Sequence, residues 1–134
     1  MIKKINHIGI AVKNLGLSAE IFSKLFSQTV LHTETVSEQN AAIAFFPIGE
    51  SSIELIESTS PESAVSKFID KRGEGIHHIC LDVDNIKSEI ERLKNHGFQF
   101  ISEVPSEGGD GYWVAFIHPK SANGVLIELC EKMK

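Results

Sequence analysis

The stretches Ile5-Asn6-His7-Ile8-Gly9-Ile10-Ala11-Val12 and Ile76-His77-His78-Ile79-Cys80-Leu81-Asp82-Val83 decide how this chain is read. Both follow the pattern Ile-x-His-Ile-x-apolar-x-Val, and both run on into x-Asn followed by Leu or Ile. A repeat outranks other signals, because missing one misassigns the whole fold. The likeness continues past these strands. Ile43-Ala44-Phe45-Phe46 recurs at the same offset as Val114-Ala115-Phe116-Ile117. Ile53-Glu54-Leu55-Ile56-Glu57 recurs, three residues further displaced, as Ile127-Glu128-Leu129-Cys130-Glu131, the extra residues falling in the loop His118 to Gly124. Matched blocks in one order make the chain a duplication.

Outward from the first stretch, strict alternation places Ile8, Ile10 and Val12 on one strand face and His7, Gly9 and Ala11 on the other. The first face calls for a helix against it; the second leaves room around a histidine. A helix is predicted from Leu17 to Ser27, with an apolar stripe of Leu17, Ile21, Phe22, Leu25 and Phe26. Its counterpart runs from Ile86 to His96 through Ile90 and Leu93 and stops at Gly97. Strand-like runs follow each helix: Val30–Val36, Ala41–Pro47 and Ser52–Glu57, then Phe98–Val104, Tyr112–His118 and Val125–Cys130. Each half therefore reads β-α-β-β-β. Between them Ser60-Pro61-Glu62 is expected to open a short helix with Val65, Phe68 and Ile69 on its buried face, ending at Lys71-Arg72 before Gly73.

Composition narrows the function. A length of 134 residues suits a single shared core, and 42 % hydrophobic with 23 % charged residues is ordinary for a globular chain. The formal charge of -5 argues against nucleic acid. No apolar run is long enough for a membrane span. Met1-Ile2-Lys3-Lys4 enters a strand at once, so no leader is expected and the expected compartment is the cytoplasm. Cys80 and Cys130 lack any paired spacing and read as two reduced, buried thiols.

The duplication repeats chemistry as well as structure. Each half supplies one histidine on its first strand and one glutamate on its last: His7 with Glu54, and His78 with Glu128. An acid in the middle of an apolar strand is costly to bury unpaired. Two imidazoles and two carboxylates converging on a divalent cation would remove that cost and leave an octahedral ion two open positions. A nitrogen and oxygen donor set suits cobalt, nickel, manganese, iron or zinc. His77 points away from His78 and reads as structural or supporting, while His32 and His96 read as solvated surface.

On these residues the chain resembles the vicinal oxygen chelate superfamily over essentially its whole length, and within it the methylmalonyl-CoA epimerase family. The closer likeness lies in Asn6-His7-Ile8-Gly9-Ile10-Ala11-Val12, in Ser60-Pro61-Glu62-Ser63 through Lys67-Phe68, and in Gly73-Glu74-Gly75-Ile76-His77-His78. It continues in His118-Pro119-Lys120-Ser121 leading to Gly124-Val125-Leu126-Ile127-Glu128-Leu129. The resemblance implies an α+β fold: two tandem pseudo-symmetric βαβββ modules forming a curved mixed sheet around a metal site, with the helices outside. It is expected to be a single domain over residues 1–134, with halves near 1–59 and 73–134 and a connector helix near 60–72.

The same resemblance implies an isomerase of propionate metabolism that interconverts (2R)- and (2S)-methylmalonyl-CoA through an enolate, assembled as a homodimer. Its metal ligands would be His7, Glu54, His78 and Glu128, with cobalt favoured, and Glu128 would double as a catalytic base. Family members that carry a glutamate at the position of Ile43 and a glutamine at that of Glu54 differ from this chain. Glu54 is therefore the expected second base, with Glu34 or a metal-bound water in reserve. Lys120 and Ser121 are expected to contact the acyl-CoA substrate, and Lys67, Lys71 and Arg72 to meet its phosphates. For Tyr112 and Trp113, pocket lining and plain packing both stay open. Two rivals stand beside this reading. Bacterial glyoxalase I shares the two-His, two-Glu set, but typically has arginine where Ala11 stands and lacks the His118-Pro119-Lys120-Ser121 stretch. A non-catalytic binding protein of the same fold usually dispenses with the ligands.

Overall fold

The structure, a computed structural model, describes residues 1–29 and 32–134, with His32 and Glu38 described by their backbone alone. The first half runs β1 (Ile2–Ala11), α1 (Leu15–Phe26), β2 (His32–Val36), β3 (Ala41–Ile48) and β4 (Ser51–Ser58). Helix α2 (Ala64–Arg72) connects to β5 (Gly75–Val83), α3 (Ile86–Asn95), β6 (Ser106–Glu107), β7 (Tyr112–Ile117) and β8 (Ile127–Lys132). The expected βαβββ pair is present. The strands hydrogen-bond in the order β2-β3-β4-β1-β5-β8-β7-β6. Counting outward from β1 and from β5, each half lays its strands down in the same sequence. The sheet is mixed: β5 and β8 are parallel, whereas β3–β4 and β7–β8 are antiparallel. Among the described residues no helix is long and apolar enough to cross a membrane.

The chain divides into two compact units, Ile8–His77 and Met1–His7 with His78–Lys134. In the first, α1 packs Leu15, Ala19, Phe22 and Phe26 on Val12, Ala44, Phe46 and Leu55. A separate apolar cluster joins Ala11, Ala41, Ile43, Ile56 and Val65 to Phe68 and Ile69 of α2. In the second unit, α3 sets Ile86, Ile90 and Leu93 against Val83, Ala115, Ile117 and Leu129. The reverse face of those same strands carries Cys80, Val114, Phe116 and Cys130.

The structure corrects several expectations. Of the predicted apolar stripe of α1, Phe22 and Phe26 pack on the core, whereas Leu17, Ile21 and Leu25 are 61 %, 63 % and 69 % exposed. The helix begins at Leu15, capped by the Asn14 side chain, and burying Leu15 and Ala19 turns Leu17 and Ile21 away. Helix α2 begins at Ala64, because the buried Ser63 side chain takes the capping role in place of Ser60. The expected strand Phe98–Val104 reduces to one bridge between Phe100 and Ile117, and a two-residue β6 forms beyond it. Pro105 has no N–H to carry a ladder through, and Glu103 is drawn instead to Lys94 at 2.9 Å. β8 starts two residues later than predicted, since the Val125 N–H closes a turn onto the Ala122 carbonyl at 3.0 Å. The predicted strand from Val30 falls partly outside the described residues, and its described part is β2.

Candidate metal centre

Strands β1, β5 and β8 bring His7, His78 and Glu128 together in the unit Met1–His7 with His78–Lys134. His7 and His78 sit mid-strand and Glu128 is the second residue of β8; in each case the ladder fixes the backbone and alternation fixes the face. All three are buried. His78 Nε2 lies 3.0 Å from Glu128 Oε1, His7 Nε2 lies 3.3 Å from the same oxygen, and the two Nε2 atoms are 3.0 Å apart. The rings stand edge to face with centroids 5.1 Å apart, and Phe116 closes one side of His78 at 6.1 Å.

Burial by itself would push the Glu128 carboxyl upward, but the imidazoles of His7 and His78 facing it more than reverse this and hold it well below the ordinary carboxylate range. It is an ionised, acceptor-only group in a dry place. Its Oε1 has no hydrogen-bond partner among the described residues, although imidazole nitrogens lie within ion-pair distance. A buried carboxylate oxygen left this way is expensive unless a cation meets it.

A divalent ion fits these residues. Donors about 2.1 Å from one ion and at right angles to one another lie about 3.0 Å apart, and the three distances here are close to that figure. His7 Nδ1 lies 2.8 Å from Asn6 Oδ1, so that nitrogen carries the ring proton and Nε2 presents a bare lone pair.

Cys80 belongs to the same cluster. Its sulfur, the ligand atoms of His7 and a Glu128 oxygen all lie within 4.8 Å of one another, close enough to hold one metal ion. The sequence reading left it as an inert thiol. One signal lay in the sequence, Cys80 following His78 by two residues on the same strand face; its place directly beside Glu128 in the β5–β8 register comes from the fold. Cys130 is also buried, and neither cysteine forms a disulfide.

Glu54, the remaining predicted ligand, is buried in the middle of β4, opposite Phe45, within the unit Ile8–His77. Ile43 lies 4 % exposed in the apolar cluster of that unit, and Glu34 stands directly across from it in the β2–β3 register. His77 packs edge to face on Phe68 with centroids 5.0 Å apart, and His96 is exposed at the end of α3. The side chain of His32 lies outside the described residues. Lys120 is exposed, whereas Ser121 Oγ accepts the Gln99 N–H at 2.9 Å. Tyr112 is half-buried and hydrogen-bonds the Asn6 side chain, while Trp113 is turned outward at 38 % exposure.

The model of the Glyoxalase/Bleomycin resistance protein/Dioxygenase superfamily matches residues 6–116. The mitochondrial methylmalonyl-CoA epimerase of Dictyostelium discoideum is 36 % identical over 132 residues, covering 98 % of this chain and 80 % of that protein. The ethylmalonyl-CoA/methylmalonyl-CoA epimerase of Cereibacter sphaeroides is 33 % identical over 96 % of this chain and 98 % of its own length. A solved structure of a variant Streptomyces coelicolor methylmalonyl-CoA epimerase, in complex with 2-nitronate-propionyl-CoA, superposes with a TM-score of 0.94 at 33 % identity. That match covers 98 % of this chain and 96 % of that one. The chain belongs to the glyoxalase/bleomycin resistance protein/dioxygenase superfamily, whose model spans most of it. Within that class its place is among the methylmalonyl-CoA epimerases, which makes it an isomerase.

Proposed function

We propose that this chain is a metal-dependent methylmalonyl-CoA epimerase that inverts the carbon between the thioester and the free carboxylate. The observation that carries the reading is the convergence of His7 Nε2, His78 Nε2 and Glu128 Oε1, all within 3.3 Å of one another, in a chain similar to epimerases. His7, His78, Glu128 and Glu54 would hold the ion, with cobalt first among cobalt, nickel, manganese, zinc and iron. When bound, such an ion supplies Lewis-acid stabilisation of the charge that develops on the substrate oxygens as the proton leaves.

Inversion requires proton removal on one face of the carbon and return on the other. Glu128 serves one face; it is ionised, buried and acceptor-only. Glu54, its counterpart in the duplication, serves the opposite face. Ile43 cannot carry a proton, and its apolar packing supports assigning that work elsewhere. Glu34 is the alternative, since it shares a cross-strand position with Ile43. Lys120 and Ser121 contact the acyl-CoA, with Lys67, Lys71 and Arg72 available for its phosphates. The setting is propionate metabolism in the cytoplasm, as a homodimer.

The rival lactoylglutathione lyase reading is disfavoured at Ala11. That residue is 0 % exposed and packed among Ala41, Ile43 and Ile56, where an arginine would find neither space nor solvent. Proton NMR of methylmalonyl-CoA in D₂O distinguishes the two. The cobalt-loaded protein is expected to exchange the C2 hydrogen far faster than a metal-free control. Absence of exchange, with turnover of the methylglyoxal–glutathione adduct, would transfer the assignment to the lyase.

A further inference from the structure

The two site histidines aim their Nε2 atoms at each other across 3.0 Å. Both atoms also lie within 3.3 Å of Glu128 Oε1, and Asn6 sets how His7 faces that cluster. A carboxamide oxygen only accepts, so Asn6 Oδ1, 2.8 Å from His7 Nδ1, requires the His7 proton to sit there. His7 Nε2 is then a bare lone pair facing His78 Nε2 and Glu128 Oε1. Rotating the Asn6 amide by half a turn would set an N–H against Nδ1 and drive the His7 proton onto Nε2, where it would block the lone pair.

Tyr112 opposes that rotation. The Tyr112 phenol hydrogen-bonds the Asn6 side chain, and with Asn6 Oδ1 turned to His7 the amide nitrogen is the end left to meet it. The Asn6 amide is thus gripped at both ends, its oxygen by His7 and its nitrogen by Tyr112. In the second half the residue preceding the site histidine is His77, with its ring against Phe68. The duplication therefore supplies a carboxamide to one histidine and an imidazole before the other.

We propose that Asn6 is a positioning residue that presets His7 as a metal ligand, and that Tyr112 holds Asn6 in the required orientation. The ligand role rests on the metal reading above, whereas the tautomer does not.

The test combines two measurements on wild type, Asn6→Ala, Asn6→Asp and Tyr112→Phe. Imidazole ¹⁵N–¹H correlation spectra of the metal-free proteins at mildly alkaline pH report which nitrogen of His7 holds the proton. Competition with a coloured chelator reports the affinity for Co²⁺. Wild type is expected to show His7 protonated at Nδ1. Asn6→Ala is expected to shift His7 toward the Nε2–H form and weaken Co²⁺ binding by about 10- to 100-fold, the usual cost of losing the group that orients a ligand. Its metal-free melting temperature should match wild type, Asn6→Asp should restore the tautomer, and Tyr112→Phe should fall between. A wild-type His7 protonated at Nε2 overturns the proposal. So does Asn6→Ala with wild-type tautomer and affinity. A wild type that binds no Co²⁺ overturns the metal reading itself, with the spectra still judging the tautomer.

Discussion

Glu57 Oε1 accepts the backbone N–H of Leu15 at 2.7 Å, and its repeat partner Glu131 accepts that of Ile86 at 2.8 Å. Each carboxylate holds the first turn of the helix that packs on its own unit, while Asn14 and Asn85 cap the same turns through the N–H groups of Leu17 and Ser88. The duplicated Ile-Glu-Leu-x-Glu therefore divides its labour. The first glutamate lies on the side of the proposed chemistry, and the second serves a helix terminus with its positive end. Replacing Glu57 or Glu131 by Ala is expected to cost about 1–3 kcal/mol each, the range for hydrogen bonds to a charged group. Urea denaturation of the two single variants measures this, and costs near zero would remove the anchoring role.

Glu89 predicts the acid limb of stability. It is buried on α3, where Arg92 Nη2 donates at 2.9 Å and the Met1 ammonium reaches it at 2.9 Å. The Arg92 guanidinium, foremost, holds the carboxyl below its usual value of 4.5, against the opposing push of burial. A lowered folded-state pKa means that this contribution is complete above the unfolded value and is lost as pH falls through the folded one. Glu89→Gln should be less stable than wild type at neutral pH, and the difference should shrink as pH drops below 4.5. Chemical denaturation across that range tests the slope.

The phase of α1 is checked by mutation. Leu17→Gln, Ile21→Gln and Leu25→Gln should each change stability by less than about 0.5 kcal/mol, as for exposed positions. Phe22→Ala should cost about 2–4 kcal/mol, because it removes a ring packed on Phe26, whose own ring meets Phe46 at 5.6 Å. Comparable losses at Leu17 or Leu25 would mean that another surface covers them.

Glu54 carries the sharpest catalytic prediction. Glu54→Gln, with metal content verified, should slow C2 hydrogen exchange by at least about 100-fold, the lower bound for loss of a general base. Unimpaired turnover would exclude Glu54 as a base and leave Glu34→Gln as the next variant to assay.

The thiols supply a check on burial. Cys80 and Cys130, at 0 % and 2 % exposed, should resist a disulfide-forming thiol reagent in the native protein and both react in urea. Fast labelling of Cys80 under native conditions would mean that the centre opens readily to solvent.

The architecture was legible because the chain states it twice. His7 and His78 announce matched first strands, and Asn14 and Asn85 mark matched helix starts, so element order followed from comparing one half with the other. Three of the four predicted ligands were brought to one place by that same logic. Other features failed for physical reasons. The repeat said nothing about helix phase, since Leu15 and Leu17 are equally apolar and tertiary packing chose between them. Cys80 was overlooked because its counterpart is Gly9, which carries no chemistry, and because the lateral register of β5 on β8 is not written in either strand alone. The role of Asn6 was hidden in the same way: its repeat partner is His77, and only the meeting of β1 with Tyr112 of β7 shows what the amide holds.

The boundary between the compact units falls beside the two histidines and not at the connector helix. Met1–His7 belongs with His78–Lys134, and Ile8–His77 forms the other unit. During synthesis His7 must therefore wait for His78 and Glu128, across the 70 residues from Ile8 to His77. Because one polypeptide carries both histidine-bearing strands, their meeting is an intramolecular event and does not depend on protein concentration.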